Sequence, residues 1–543
     1  MLALSIDTPR AHSQGSGSGT ASPQVGASSP RSISGPQGGA SPPLSMSAGS
    51  AAGSDDTDEE DATAGSAKAL VAPKGGKERG DWLRDHLAAA IKGKPTLAKA
   101  KIGVVVTDLA TGTELYAHDA DQGMNLASTT KLLTTVAALA TLGSGFRWRT
   151  AVYVDDLDEA TGVVKGNVYV HGHGDPTLSA ENLHELAVEV AAHGVRKVQG
   201  QLVVDATYFD GDVEPPHYAE QKQESAGFRA PVAGFGVARS AVTVVVTAEP
   251  GGAAKVTLQP VAGDYVKLAK AQVGTIASGR TRIRVDAKSK KDHLELEVSG
   301  EIRAIDGSYE VRKRIDEPAR FAAEVFRKAL AESGVKIAKR GIGIAPVPAL
   351  AKLVAAHDSA PLALVVREMN KLSDNYVAEV VLKTLGAETR LATAPATWAD
   401  GVAAVRAYLA KIGIAAGTYR ADNGSGLFGA TEVSAHQVMT LLRAAHADYR
   451  VGPDLVASLP TGGVDGTLAK RWQGHPARGR VRAKTGTLDK VITLAGFVGV
   501  DSGHPLGFAI FVNEIPPGQR APARAMADEM IDAMVAYLEP QAR

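Results

Sequence analysis

Ser128-Thr129-Thr130-Lys131 places a hydroxyl and an amine three residues apart, directly ahead of the run Leu132-Leu133-Thr134-Thr135-Val136-Ala137-Ala138-Leu139. The apolar residues after Lys131 recur at helical spacing, which predicts a loop entering a buried helix with Ser128 near its first turn. Ser128 and Lys131 then share one helical face. A serine hydroxyl is a weak nucleophile at neutral pH and needs a base within hydrogen-bond reach before it attacks a carbonyl. A lysine one turn later can be that base if burial or a neighbouring cation lowers its pKa. The helix N-terminus adds N–H donors where an oxyanion would form. Serine at a helix start is more often only a cap, and S-x-x-K recurs by chance, so the tetrapeptide alone carries little.

Two further motifs change its weight. Ser373-Asp374-Asn375 and Lys484-Thr485-Gly486 follow in that order. S-x-x-K, S-D-N and K-T-G together form the signature of class A β-lactamases and penicillin-binding proteins. Three short matches in the right order, each in a fitting context, are far rarer by chance than any one of them. They point to acyl-serine chemistry.

Elements must bring these three points together. A helix is expected from Asp81 to Lys92, a strand from Ile102 to Asp108, a turn at Ala110-Thr111-Gly112 and a second strand from Thr113 to His118, just ahead of Ser128. A helix starting at Pro361 should end at Ser373, with Asn375 just before the next helix, Tyr376 to Leu385. Further helices are expected at Pro318–Gly334, Thr397–Ile412, Ser434–His446 and Pro522–Leu538, and strands at Arg482–Leu488, Ile492–Val500 and Leu506–Asn513. Two strands before and three after predict an antiparallel sheet with helices on both faces, an α+β arrangement. Between about Thr150 and Arg314 lie short valine-rich alternating segments separated by turn residues, which read as a mainly β insertion.

The expected division is therefore a disordered low-complexity tail at 1–77, a first catalytic part at 78–150, an inserted mainly β region at 151–316, expected to form two small domains, and a second catalytic part at 317–543. The tail is rich in Ser, Gly, Pro and Ala, with an acidic cluster from Asp55 to Asp61, and has too little apolar surface to offset the entropy of ordering. The whole chain has 543 residues, 44% of them hydrophobic, enough for a substantial core. Lys plus Arg and Asp plus Glu both number 59, a balance that gives no reason to expect a nucleic-acid or membrane-surface partner. No apolar run is long enough for a membrane span. Cysteine is absent, which removes disulfides and thiolate chemistry. Met1-Leu-Ala-Leu-Ser-Ile-Asp has no basic n-region and too short an apolar stretch for a signal peptide; the chain is not exported by that route, or its first residue lies inside or after a leader.

With these residues in place the chain resembles the class C low-molecular-mass penicillin-binding proteins, D-alanyl-D-alanine carboxypeptidases and endopeptidases. The resemblance extends through Gly174-Asp175-Pro176-Thr177-Leu178, Asn423-Gly424-Ser425-Gly426-Leu427 and Gly463-Val464-Asp465-Gly466-Thr467-Leu468, from about residue 80 to the C-terminus. Class A β-lactamases have no insertion as long as the interval from Ser128 to Ser373, whereas this family does. The resemblance implies the penicillin-recognising, β-lactamase/transpeptidase-like fold and a periplasmic or cell-envelope location.

The resemblance also implies roles. Ser128 would attack the penultimate D-alanine carbonyl, Lys131 would be the acylation base, Ser373 would relay a proton to the leaving amine, and Asn375 would orient the substrate amide or Lys131. Lys484 would hold positive potential over the site, Thr485 and Thr487 beside Gly486 would bind the terminal carboxylate, and the Ser128 and Thr487 N–H groups would form the oxyanion hole. Peptidoglycan stem peptides are the implied substrates and β-lactams the implied covalent inhibitors; no cofactor or metal is called for. The match departs at Asn423-Gly-Ser-Gly-Leu-Phe428-Gly429, where the family pattern is D-G-S-G-L-S-R, so the contact made by that arginine is not carried over.

Other readings weigh less. His171-Gly172-His173 places two imidazoles on one strand face with Asp175 nearby, but reads more simply as a strand end entering the Gly-Asp-Pro turn. Gly474 to Gly479 continues into Arg480-Val481 and not into the Lys-Ser or Lys-Thr of a phosphate loop. Two further functions compete with the peptidase: a β-lactamase, distinguished by rapid hydrolysis of the penicilloyl ester, and a catalytically silent peptidoglycan-binding scaffold.

Overall fold

The computed structural model describes residues 70–221, 225–391, 394–501 and 504–539. The expected tail lies almost wholly outside them. Five strands and six helices frame the site: α1 (Gly76–Lys92), β1 (Lys101–Asp108), β2 (Glu114–His118), α2 (Lys131–Leu142), α3 (Leu362–Leu372), α4 (Asn375–Thr389), α5 (Ala435–Ala447), β3 (Val481–Leu488), β4 (Val491–Val498), β5 (Leu506–Asn513) and α6 (Arg520–Leu538). The strands form one antiparallel sheet in the order β2-β1-β5-β4-β3, so the two ends of the described chain close the same sheet. β3 is its edge.

Both faces of this sheet are covered, and the strands are correspondingly apolar on both sides. Val104, Ile510 and Leu494 stand in register on the face packed by α1 and α6. Val105, Ala509 and Ala495 stand in register on the other face, against the helical core that holds α2, α3, α4 and α5. Lys484 continues that second row through its pairing with Ala495, which aims it at the helical side. Every residue from Lys131 to Leu139 is buried, so α2 is a central helix apolar nearly all round.

The insertion builds its own core. Its largest sheet runs Ile342–Ile344, Leu202–Asp205, Val168–Gly172, Arg149–Val154, Lys352–Asp358, and a four-stranded and two three-stranded sheets accompany it. The expected boundary at residue 316 does not end this core. Helix Pro318–Glu332 buries Phe321, Ala322, Val325 and Phe326 within it, and Lys352–Asp358 pairs with Arg149–Val154. The sequence reading also passed over a helix inside the insertion, Ala180–Ala192, although Leu183, Leu186, Ala187 and Val190 have helical spacing and Ser179 with Asn182 forms a capping box.

Candidate active site

Ser128 lies on a short 3-10 turn, Ala127–Thr130, that runs straight into α2. The turn is fixed from several sides. Ala127 has φ 46°, in the left-handed region, and its N–H donates to Asn125 Oδ1 at 2.8 Å. Asn513 at the end of β5 accepts the Asn125 N–H at 2.7 Å and donates back to its carbonyl at 3.0 Å. Thr493 on β4 donates to the Leu126 carbonyl at 2.8 Å and lies 2.8 Å from Thr129 Oγ1. Gly426 approaches so closely that a Cβ would stand 1.9 Å from the Ala127 carbonyl oxygen, which accounts for glycine there.

Lys131 is fully buried. Its Nζ donates to Ser128 Oγ at 3.0 Å, to Asn375 Oδ1 at 2.7 Å and to the Ser425 carbonyl at 3.1 Å. Lys484, also fully buried, donates to Ser373 Oγ at 2.9 Å and to the Thr485 carbonyl at 2.8 Å. Ser373 caps the end of α3 in the left-handed conformation, φ 57° and ψ 34°. Asp374 is the N-cap of α4, accepting the Val377 N–H at 3.0 Å. That corner places Ser373 against Lys484 and Asn375 against Lys131.

Thr485 Oγ1 lies 2.9 Å from Thr467 Oγ1. Because the Thr485 carbonyl takes the Lys484 bond while the Gly486 carbonyl faces Thr493 on β4, the Thr485 and Thr487 backbone groups face the free edge of β3. Thr487 is almost buried, and its hydroxyl makes no hydrogen bond. All eight residues named from the sequence thus fall at one place, where the start of α2, the α3–α4 corner and the edge of β3 meet.

Several neighbours were not named. Glu379 is fully buried one helical turn beyond Asn375, and its two oxygens accept the Gly424 and Ser425 N–H groups, each at 2.9 Å. Burial pushes its carboxyl up, against the lowering pull of those donors and of Lys131. Lys383, one turn further, donates to Asp210 at 2.6 Å and to the Asp212 carbonyl at 2.7 Å and lies 4.4 Å from the Trp398 ring centre. Polar residues at i, i+4 and i+8 of an otherwise apolar helix were the available signal.

The insertion also reaches the site. Asn375 Nδ2 donates to the Phe228 carbonyl at 3.4 Å, and Tyr218 Oη lies 3.3 Å from Ser425 Oγ. Tyr218, Leu427 and Phe428 pack together with Phe228 and Leu488. At Gly429, where the family pattern has arginine, the carbonyl instead accepts from Arg420. In the histidine pair, His171 Nε2 stands 3.9 Å from Asp205, and His173 stacks on Tyr208 at 5.0 Å. Among the described residues no three or more His, Asp or Glu side chains converge as metal ligands.

An antiparallel sheet between helical layers, with a serine on a helix-entry turn beside a buried lysine, defines the penicillin-recognising class of serine hydrolases. The chain belongs to the D-Ala-D-Ala carboxypeptidase 3 (S13) family, whose model matches residues 83–537. It is 35% identical over 470 residues to a D-alanyl-D-alanine carboxypeptidase of Actinomadura sp. (strain R39), covering 84% of each chain. It is 25% identical over 435 residues to the D-alanyl-D-alanine carboxypeptidase DacB of Haemophilus influenzae, covering 77% of this chain and 86% of that one. The crystal structure of penicillin binding protein 4 from Haemophilus influenzae has the same fold, with a TM-score of 0.68 at 24% identity, over 82% of this chain and 97% of that one. A second structure of that protein, in complex with a β-lactam, superposes with a TM-score of 0.63 at 23% identity over 81% and 98%.

Proposed function

We propose that this chain hydrolyses the terminal D-Ala-D-Ala bond of peptidoglycan stem peptides, and the matching peptide cross-link, through an acyl-Ser128 intermediate. The observation that carries the reading is Lys131: an amine removed from solvent, 3.0 Å from the Ser128 hydroxyl and held there by Asn375 and the Ser425 carbonyl. Such an amine can take the hydroxyl proton as Ser128 attacks. Ser373, tied to Lys484, passes a proton to the leaving D-alanine amine. The Ser128 N–H, in the first turn of its helix, and the Thr487 N–H, on the open edge of β3, receive the oxyanion. The buried Lys484 cation with the Thr485 and Thr487 hydroxyls suits a terminal carboxylate. Water then releases the acyl group.

A peptidoglycan substrate supports a periplasmic or cell-envelope location. Among the described residues no helix is long and apolar enough to cross a membrane. β-Lactams, as dipeptide mimics, acylate Ser128. Intact-mass analysis over time with a fluorescent penicillin, on wild type and Ser128→Ala, tests the reading. A long-lived adduct on wild type alone is expected. An adduct lost within seconds would identify a β-lactamase, and none at all a silent scaffold.

A further inference from the structure

Arg239 lies in the insertion, remote in sequence from the three motifs, yet its guanidinium spans the corner that carries two of the site residues. Its Nε is 3.1 Å from Asp374 Oδ2, and its Nη2 donates to Glu368 Oε1. Glu368 belongs to α3 and Asp374 caps α4, so one planar fork joins the helix before Ser373 to the helix after it. Asp374 divides its carboxylate between the two tasks: Oδ1 accepts the Val377 N–H at 3.0 Å, and Oδ2 faces Arg239.

The backbone that delivers Arg239 is strained. Ala238, Arg239 and Ser240 have φ of 51°, 58° and 49°, three consecutive residues other than glycine in the left-handed region. L-residues enter that region singly, because Cβ crowds the following carbonyl. The turn is held by Ala238 N–H donating to the Leu178 carbonyl at 3.0 Å, Ile315 N–H donating to the Ser240 carbonyl at 2.9 Å and Arg312 donating to the Ala238 carbonyl at 3.4 Å. Leu178 closes the Gly-Asp-Pro-Thr-Leu motif, which gives that motif a structural task. Strain persists only where the surroundings over-determine it, and it concentrates at functional positions.

We propose that Arg239 is a positioning residue for the reaction: through Asp374 it fixes the first turn of α4, and with it the Asn375 amide that holds Lys131. The inference rests on the acyl-serine reading above. An Asp374 side chain with only 11% of its surface exposed would keep a single cap bond if the guanidinium were removed. The charged and titratable groups facing it are Arg239 and Arg312 of the insertion, Lys131 of α2, and the Tyr218 and Tyr376 hydroxyls. Burial works to raise the carboxyl, and Arg239 foremost, with Arg312, holds it below the usual aspartate range.

The test is the second-order rate of Ser128 acylation by a fluorescent penicillin between pH 5 and 8, measured on the full chain. The variants are Arg239→Gln, Arg239→Lys, Asp374→Asn, the Gln/Asn double variant and Lys131→Met. Arg239→Gln is expected to slow acylation ~10- to 100-fold, the scale of a small misplacement at a reacting centre, and to move the acid limb of the profile to higher pH. Arg239→Lys should recover part of the rate, and the double variant should be no slower than Asp374→Asn alone. A wild-type rate and profile for Arg239→Gln, or losses that multiply in the double variant, would overturn the inference. If Arg239→Gln does not fold, Arg239→Lys decides: a rate and acid limb equal to wild type count against positioning by the guanidinium fork. Wild type that is never acylated removes the acyl-serine reading and this inference together; Lys131→Met acylated as fast as wild type leaves the acyl-serine but removes Lys131 as its base and this inference with it; a normal wild type with an insensitive Arg239→Gln removes this inference alone.

Discussion

The Cβ that Gly486 lacks would stand 3.0 Å from the Ser128 nitrogen and 2.7 Å from the Leu126 carbonyl oxygen. Both neighbours are backbone, held by Thr493 and Asn513, so neither can step aside as a flexible side chain would. The edge of β3 and the nucleophile turn can therefore meet only through a glycine.

Gly486→Ala should accordingly separate Thr487 from Ser128 and spoil the pair of donors expected to receive the oxyanion. Acylation by a penicillin should fall by roughly 100-fold, as for the loss of one oxyanion donor. The comparison to make is rate against melting temperature. A variant that acylates at the wild-type rate would show that the strand edge contributes nothing to the acyl transfer.

Lys131 has no substitute in its position, since its amine donates to Ser128, Asn375 and Ser425 at once. Lys131→Met removes the base and should slow acylation by about 100- to 10,000-fold, the span of general-base contributions. Lys131→Arg should fare little better, because a guanidinium does not give up its proton. Stopped-flow acylation separates this from a binding defect. An arginine variant with near-normal rates would mean that the residue acts as a fixed charge and not as a base.

The framework was legible because its patterns are local. The hairpin at Lys101–His118, the three C-terminal strands and the helix after Ser128 all show their periodicity, and the motifs mark the three points that converge. Less was visible where partners come from far along the chain. Arg239 and Tyr218 act on α4 and on Ser425 across more than a hundred positions, and no spacing rule links residues across an insertion. The end of the insertion was misplaced because helix Pro318–Glu332 is a well-formed amphipathic helix in either context. Which core Phe321 and Phe326 enter is decided by the tertiary fold. Glu379 was within reach of sequence reasoning, as a carboxylate four residues after Asn375 in a helix with no exposed face around it.

Glu379→Gln tests whether that carboxylate holds the Ser425 carbonyl in place for Lys131. Gln offers one oxygen where two are used, and its amide nitrogen would face a backbone N–H at 424 or 425. A buried donor left unsatisfied costs about 1–3 kcal/mol, so chemical denaturation should show a loss of that order. Acylation should fall with it by about 10-fold, because the Ser425 carbonyl is one of the Lys131 anchors. Lost stability with an unchanged acylation rate would confine Glu379 to the fold.

Asp532, in α6, gives a pH dependence of definite sign. Burial, then the nearby Asp528 and Glu529, push its carboxyl up to about 7, while His475, lowered by burial, approaches at 3.4 Å without hydrogen-bond geometry. In the unfolded chain an aspartate releases its proton near pH 4, so between about pH 4 and 7 the folded state binds more protons than the unfolded one. This group's contribution to stability is therefore present at low pH and lost as pH rises through about 7. Asp532→Asn, which mimics the protonated side chain, should match wild type at pH 4.5 and exceed it at pH 8 by about 1–2 kcal/mol, allowing for partial solvent access. Melting temperatures of the two proteins across that range give the difference directly. A gap that stays constant with pH, or opens toward acid, would show that Asp532 is ionised in the folded protein throughout.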